Sequence, residues 1–440
     1  MCGISQSLRP RTRVALVVCS LYIFALDFDV NSITVILKYA GKDATEAYSQ
    51  VHAPSIISKN LDPKKLIGVL ERTMENDQIE PSQSRRKQVK GITKPPLDDL
   101  INAADFEEVA SKTLSAKAWA YYSSAATDLV TKNANTDTYA KISLRPRMMK
   151  DVSSINTKAT ILGCKTGIPI FVSPAAMARL VHEDGEKAIA RACGPQNVIH
   201  SISTQASYPV EEIINDEGVT PGQSFFFQLY VNRDRKKSEE LLAHLQTLGV
   251  KVLLVTIDGP VPGKREADER VKAEDGLTIP SGAVAKNDTK GGAYGRIMGS
   301  FVDASLNWND VAWLRKYWHG SIVLKGVMTA MDAKLAAKHN LDGIIISNHG
   351  GRNLDTAPAS ILVLLELQRC CPEVFDKLEV LIDGGIRRGA DVFKALCLGA
   401  KGVGIGRGFL YALNYGQEGV EKFIASKYCP CSVRDRSQQS

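Results

Sequence analysis

At 440 residues, with 44% apolar and 23% charged, the chain matches ordinary globular proteins with a sizeable core, arranged as one large domain plus a small module. No stretch approaches the apolar length needed to span a bilayer. Fifty-five Lys and Arg against 48 Asp and Glu leave a charge of +7, compatible with an anionic ligand. The basic residues are scattered, the densest run being Arg85-Arg86-Lys87, and no aromatic strand pattern accompanies them, so nucleic-acid binding is not expected.

Along the chain, Arg9, Arg11 and Arg13 precede an apolar run over 14–26, a pattern shared by a signal peptide without a clean cleavage site and by a buried strand. Nine cysteines form no regular framework, which favours a reducing intracellular compartment, cytoplasm or mitochondrion. Cys429-Pro430-Cys431 lacks the partner Cys or His cluster of a metal site. Composition divides the chain into an extension over 1–30, a small module over 31–72, a polar linker over 73–96 that ends at Pro95-Pro96, and a main domain over 97–440.

In the main domain, apolar runs at 169–173, 198–203, 225–230, 252–258, 321–325, 343–347, 379–383 and 402–406 read as strands. Helical patterns at 211–217, 238–248, 308–317, 330–339, 359–368 and 390–398 alternate with them. Eight strands alternating with helices predict an α/β fold closed as a (β/α)8 TIM barrel. Residues 271–300 are aperiodic and read as a loop over the strand C-terminal face.

Such barrels build their sites at the C-terminal strand ends, and this chain places Ser203, Gln228, Tyr230, Thr256, Asp258, Lys325, His349, Arg352, Asp383, Arg387 and Arg407 there. Ser347-Asn348-His349-Gly350-Gly351-Arg352 combines a residue that can take a proton near neutral pH with a planar clamp for a carboxylate. On its own such a turn serves structure as readily as catalysis. Asp383-Gly384-Gly385-Ile386-Arg387-Arg388 and Gly404-Ile405-Gly406-Arg407, at consecutive strand ends, read as a phosphate cradle of backbone N–H groups and guanidinium charge.

The segments 347–352, 383–389, 227–231 (Phe-Gln-Leu-Tyr-Val) and 325–327 (Lys-Gly-Val) resemble the FMN-dependent 2-hydroxy acid dehydrogenases and oxidases, over about 97–420. The resemblance implies bound FMN and an L-2-hydroxy acid substrate similar to L-lactate. It makes His349 the base, Asp258 its carboxylate partner, Arg352 and Tyr121 the carboxylate binders, and Tyr230 the partner of the substrate hydroxyl. Arg265 would approach from the following loop. Lys325 would stand beside the N1 and O2 edge of the flavin, with Ser203, Gln228 and Thr256 on its polar edge and Pro174, Ala175 and Ala176 on the other side. Asp383, Gly384, Gly385, Arg387, Gly406 and Arg407 would hold the ribityl phosphate end. A homo-oligomer is expected, and oxygen and cytochrome c are the candidate electron acceptors.

The chain also departs from the family. Gln205 stands where relatives often carry Leu or Trp beside the substrate side chain, which suggests a more polar substrate, and Ala125-Ala126-Thr127-Asp128 replaces the usual stretch after the tyrosines. Residues 35–45 with His52-Ala53-Pro54 resemble half of a cytochrome b5-like module, in which His52 would be one haem ligand. Asp29 stands where the second histidine belongs, so a bis-histidine haem b is not expected. The C-terminus is expected to be shortened after Val420, leaving barrel surface uncovered. An impaired FMN-binding member and another kind of phosphate-binding barrel are the competing readings; the pairing of His349 with Arg352 argues against the latter.

Overall fold

The barrel strands are buried on almost every residue, as in a sheet covered on both faces. The computed structural model describes residues 93–149, 151, 153–272, 294–295 and 299–427. The expectations for residues 1–92, most of the 271–300 loop, and Cys429 onward lie outside them. A hairpin of β1 (Ala159–Ile161) and β2 (Cys164–Thr166) precedes β3 (Ile170–Val172), β4 (Ile199–Ser203), β5 (Phe225–Leu229), β6 (Val252–Thr256), β7 (Ser321–Val327), β8 (Gly343–Ile346), β9 (Glu379–Asp383) and β10 (Gly402–Ile405). Strands β3 to β10 pair in parallel in chain order, and β10 returns to β3 to close the barrel. The eight expected strands are therefore all present.

Alternation divides each strand between two cores. Phe171, Ile199, Phe226, Leu254, Val323, Ile345 and Leu381 fill the barrel interior, joined from the hairpin by Ile161, Leu162 and Cys164. The hairpin plugs the N-terminal end, where the Leu162 N–H donates to Glu379 at 2.7 Å. Strand residues facing outward, such as Ile202, Phe227, Leu253, Ile344 and Ile382, pack with the helices. Gly404 is required by space: a β-carbon there would stand 2.8 Å from the Phe171 ring.

The six expected helices appear with ends shifted by up to three residues. Eight more α-helices among the described residues were not foreseen: Ala103–Thr113, Ala116–Ser123, Val130–Lys141, Gly185–Cys193, Glu266–Arg270, Val374–Lys377, Arg407–Leu413 and Gly416–Lys427. The last buries Val420, Phe423 and Ile424, with Phe423 edge-on to Phe106 and Phe409, so the barrel is covered there. The helix runs past Val420, where the shortening was expected to begin, to Lys427, and the rest of that expectation falls beyond the described residues.

Val130–Lys141 shows why a pattern can hide: it buries Thr131, Asn135 and Tyr139 rather than an aliphatic stripe, and its cap comes from far along the chain. The Asp355 carboxylate accepts from the N–H groups of Asp128 (2.9 Å), Val130 (3.3 Å) and Thr131 (2.8 Å) and from the Thr127 hydroxyl (2.9 Å). Burial alone would raise its pKa; the hydrogen bonds from Thr131, Thr127 and their neighbours outweigh it and bring the value to about 2. Asp355→Ala is expected to cost about 2 kcal/mol, read as a lower urea midpoint at neutral pH. Because the folded pKa is depressed, this contribution is complete above the ordinary value of 3.8 and is lost as pH falls toward 2.

Candidate active site

Strand register assembles the first part of the site. Ser203 pairs with Gln228 across β4 and β5, and Thr256 pairs with Lys325 across β6 and β7, so four polar side chains follow one another around the C-terminal rim. Ser203 Oγ lies 3.0 Å from Gln228 Oε1, and Gln228 Nε2 donates to Thr256 Oγ1 at 2.9 Å. Lys325 Nζ donates to Ser347 Oγ at 3.1 Å and lies 3.4 Å from Asp383 Oδ2. Burial alone would lower the Lys325 pKa, but Asp383 and Asp258 outweigh it and hold the ammonium above its ordinary value.

The β8 turn supplies the second part. His349 adopts a left-handed backbone, with φ of 57°, which costs a side chain of this shape about 1–3 kcal/mol. Asn348 secures the turn: its amide pairs reciprocally with Asn135 at 2.8 Å and also donates to the Pro358 carbonyl at 2.9 Å. His349 Nδ1 lies 3.0 Å from Asp258 Oδ1, and Nε2 lies 3.5 Å from the Tyr230 hydroxyl. Gly326 makes room for that carboxylate, since a β-carbon there would stand 2.5 Å from Asp258 Cβ. Burial lowers the His349 pKa, with Lys325 and Arg265 adding to it and Asp258 opposing it, so the ring is neutral at pH 7.

Two guanidinium groups converge beside the histidine. Arg352 Nη1 donates to the Tyr121 and Tyr122 carbonyls at 2.8 and 3.2 Å, and the guanidinium stands 4.9 Å over the Tyr121 ring. Arg265 donates from Nε to the Arg352 carbonyl at 3.2 Å. Burial, reinforced by the charge of Arg352, lowers the Arg265 pKa to about 10.

The residues to which the resemblance assigns a role in the flavin and substrate site all line one cavity, except Asp258, which stands behind His349; His52 lies outside the described residues. Six cations line it, Lys132, Arg265, Lys325, Arg352, Arg387 and Arg407, against Glu107 and Asp383, so the cavity favours anions. Arg407 also braces the wall, because its guanidinium donates to the carbonyls of Tyr122, Ser124 and Gly350 and so ties the β8 turn to the Ala116–Ser123 helix. Gln205 departs from the expectation drawn from the sequence. It is buried, both side-chain amide atoms lack a hydrogen-bond partner among the described residues, and it does not line the cavity, so it is not placed to meet a substrate side chain.

Sequence reasoning missed Tyr122, whose hydroxyl donates to the Ala176 and Met177 carbonyls at 2.9 and 2.6 Å and braces the Pro174–Ala176 wall. It also missed Glu107, paired with Arg387 at 2.6 Å, and Lys132. No local pattern marked these three. Adjacency of the two tyrosines was the one available signal for Tyr122.

A model of the FMN-dependent dehydrogenases matches residues 110–426. The chain belongs to the FMN-dependent dehydrogenase family. The L-lactate dehydrogenase (cytochrome) of Wickerhamomyces anomalus is 42% identical over 394 residues, which cover 89% of this chain and 68% of that protein. Glycolate oxidase 3 of Oryza sativa subsp. indica is 39% identical over 339 residues, 74% of this chain and 89% of that one. The flavin-binding domain of baker's yeast flavocytochrome b2 superposes with a TM-score of 0.69 at 42% identity, covering 78% of this chain and 84% of that one.

The residues present fit FMN. Asp383 lines the cavity, and its buried Oδ1 has no hydrogen-bond partner among the described residues, which leaves an acceptor suited to a ribityl hydroxyl. Gly406 leaves the wall open, since a β-carbon there would meet nothing nearer than Ser173 at 3.8 Å. The Ser203–Gln228–Thr256–Lys325 series would hold the ring's polar edge, and the cations Arg387 and Lys132 would suit the phosphate.

Proposed function

We propose that the chain oxidises an L-2-hydroxy acid of the L-lactate kind to the 2-oxo acid, with His349 as the base. The observation that carries this reading is one end of the cavity, where a neutral histidine backed by a carboxylate meets two arginines and two tyrosines. A 2-hydroxy acid brings a carboxylate and a hydroxyl on adjacent carbons, and these match the two halves of that constellation. Arg265, buried, and Arg352, half-buried, stand close together and gain from an anion between them. Tyr121 adds a hydroxyl to that clamp. Burial raises the Tyr230 pKa, so its phenol stays protonated to hydrogen-bond the substrate hydroxyl.

An Nδ1–H donated to Asp258 leaves His349 Nε2 as the acceptor toward the cavity. As Nε2 takes a proton, the positive charge on the ring is met by Asp258. Bound FMN supplies the acceptor for the two electrons.

This arrangement fixes the pH behaviour. His349 works deprotonated and its pKa is depressed below 6.5, so kcat/KM should be flat at neutral pH and fall only as pH drops below that value. Asp258→Asn removes a group that raises the His349 pKa, so the acid limb should move to lower pH while kcat drops about 10²–10⁴-fold. An acid limb that moved upward would contradict the pairing.

The direct test is turnover by the FMN-loaded chain on L-lactate, D-lactate and glycolate, under air and anaerobically with cytochrome c. The L-enantiomer alone should yield pyruvate, and the acceptor arm separates oxidase from cytochrome-linked behaviour. Absence of any 2-oxo acid product would refute the reading.

A further inference from the structure

Outside the groups assigned above, a buried ion pair joins the elements that carry Tyr121 and Arg265. Lys117 lies one turn before Tyr121 on the Ala116–Ser123 helix, and Asp268 lies three residues after Arg265 on the Glu266–Arg270 helix. Lys117 Nζ donates to Asp268 Oδ1 at 2.6 Å and to the carbonyls of Asp268 (2.6 Å) and Val271 (2.9 Å). It also stands 4.6 Å over the ring of Tyr294, which packs edge-on to Tyr121 at 5.7 Å. Asp268 is 0% exposed, and its second oxygen accepts from the Gly295 N–H at 3.4 Å. Arg265 lies so close to Gly295 that a β-carbon there would stand 2.7 Å from its Nη1.

A carboxylate fully removed from water must keep a cationic partner. Among the described residues, two cations stand near Asp268: Lys117 from across the fold, and Arg265 at the i,i−3 position of its own helical turn, where side chains are neighbours. Lys117 holds the carboxylate and two flanking carbonyls together, a claim Arg265 does not contest while its Nε bonds the Arg352 carbonyl. We propose that Lys117 is a positioning residue: by keeping Asp268 paired, it leaves Arg265 aimed into the cavity to receive the substrate carboxylate. This inference rests on the functional reading above. Without Lys117, Arg265 turns to Asp268 and the carboxylate site loses one of its two cations. Nothing in the proton-transfer geometry of His349 and Asp258 changes.

The test uses the FMN-loaded full chain and L-lactate kinetics. Lys117→Met should raise KM tenfold or more with kcat changed less than threefold. Adding Asp268→Asn should bring KM back to within about threefold of the starting protein, and Lys117→Arg should behave as the starting protein does. A merely structural role would lower kcat and stability together rather than raise KM alone. An unchanged KM in Lys117→Met, or no recovery in the double variant, overturns the proposal. Should Lys117→Met fail to fold, the double variant decides alone, a near-normal KM supporting the proposal and a KM raised as far as in Arg265→Met overturning it. A crystal structure of Lys117→Met gives an answer independent of activity: Arg265 bonded to Asp268 supports the proposal, and Arg265 unmoved overturns it. A starting protein inert toward every 2-hydroxy acid would count against the functional reading alone, and the crystal structure would still decide this one.

Discussion

Replacing His349 by glutamine is expected to lower kcat for L-lactate by about 10²–10⁴-fold, the range that a positioned general base contributes. Glutamine keeps a polar side chain of similar length but takes no proton at neutral pH. FMN should remain bound, because the Ser203–Gln228–Thr256–Lys325 series does not depend on the histidine. The left-handed backbone at His349 is set by Ser347 and Asn348, whose side chains bond the N–H groups of His349 and Gly351 at 3.1 and 3.2 Å, so the turn should survive. Stopped-flow measurement of substrate-driven flavin reduction checks this. A loss smaller than about tenfold would show that another group takes the proton.

Replacing Arg352 by methionine should lower kcat/KM by roughly 30-fold to several thousand-fold, the equivalent of about 2–5 kcal/mol for truncating one partner of a buried charged contact. The same change removes one donor from each of the Tyr121 and Tyr122 carbonyls, which keep the Ser124 hydroxyl and the Arg407 guanidinium, so only a small part of the loss comes from the turn itself. Arg352→Lys separates the two contributions: it restores the charge without the planar fork and should recover activity only partly. Steady-state kinetics over a wide range of L-lactate concentrations, with a urea titration of each variant, would show how much is binding and how much is folding.

The barrel was legible because its signal is local. Each strand from Ile170–Val172 to Gly402–Ile405 is a short apolar run bounded by turns, and the alternation with helices leaves one closed topology. The site was legible for a related reason, since a barrel delivers whatever stands at the strand ends to one rim. His349 and Arg352 come from one turn, while Gln228, Lys325 and Asp383 come from separate strands that register brings together.

What escaped depends on contacts distant in sequence. The Val130–Lys141 helix, without an aliphatic stripe, is capped by Asp355, 224 residues from Thr131. Asn135 and Asn348 lock the β8 turn across 213 residues, and Lys117 reaches Asp268 across 151. Gln205 failed in the opposite direction: its position one residue past Ser203-Thr204 suggested the cavity, but the chain turns it into the wall, where the Met177 N–H donates to its carbonyl at 3.0 Å.

The central claim is most directly tested by anaerobic titration of the FMN-loaded protein with L-lactate, following the flavin absorption band in the unaltered chain and in His349→Gln. The account predicts full bleaching of the band in the unaltered chain and bleaching slowed by about two or more orders of magnitude in the variant. A protein that takes up no flavin, or a variant that bleaches as fast as the original, would contradict it.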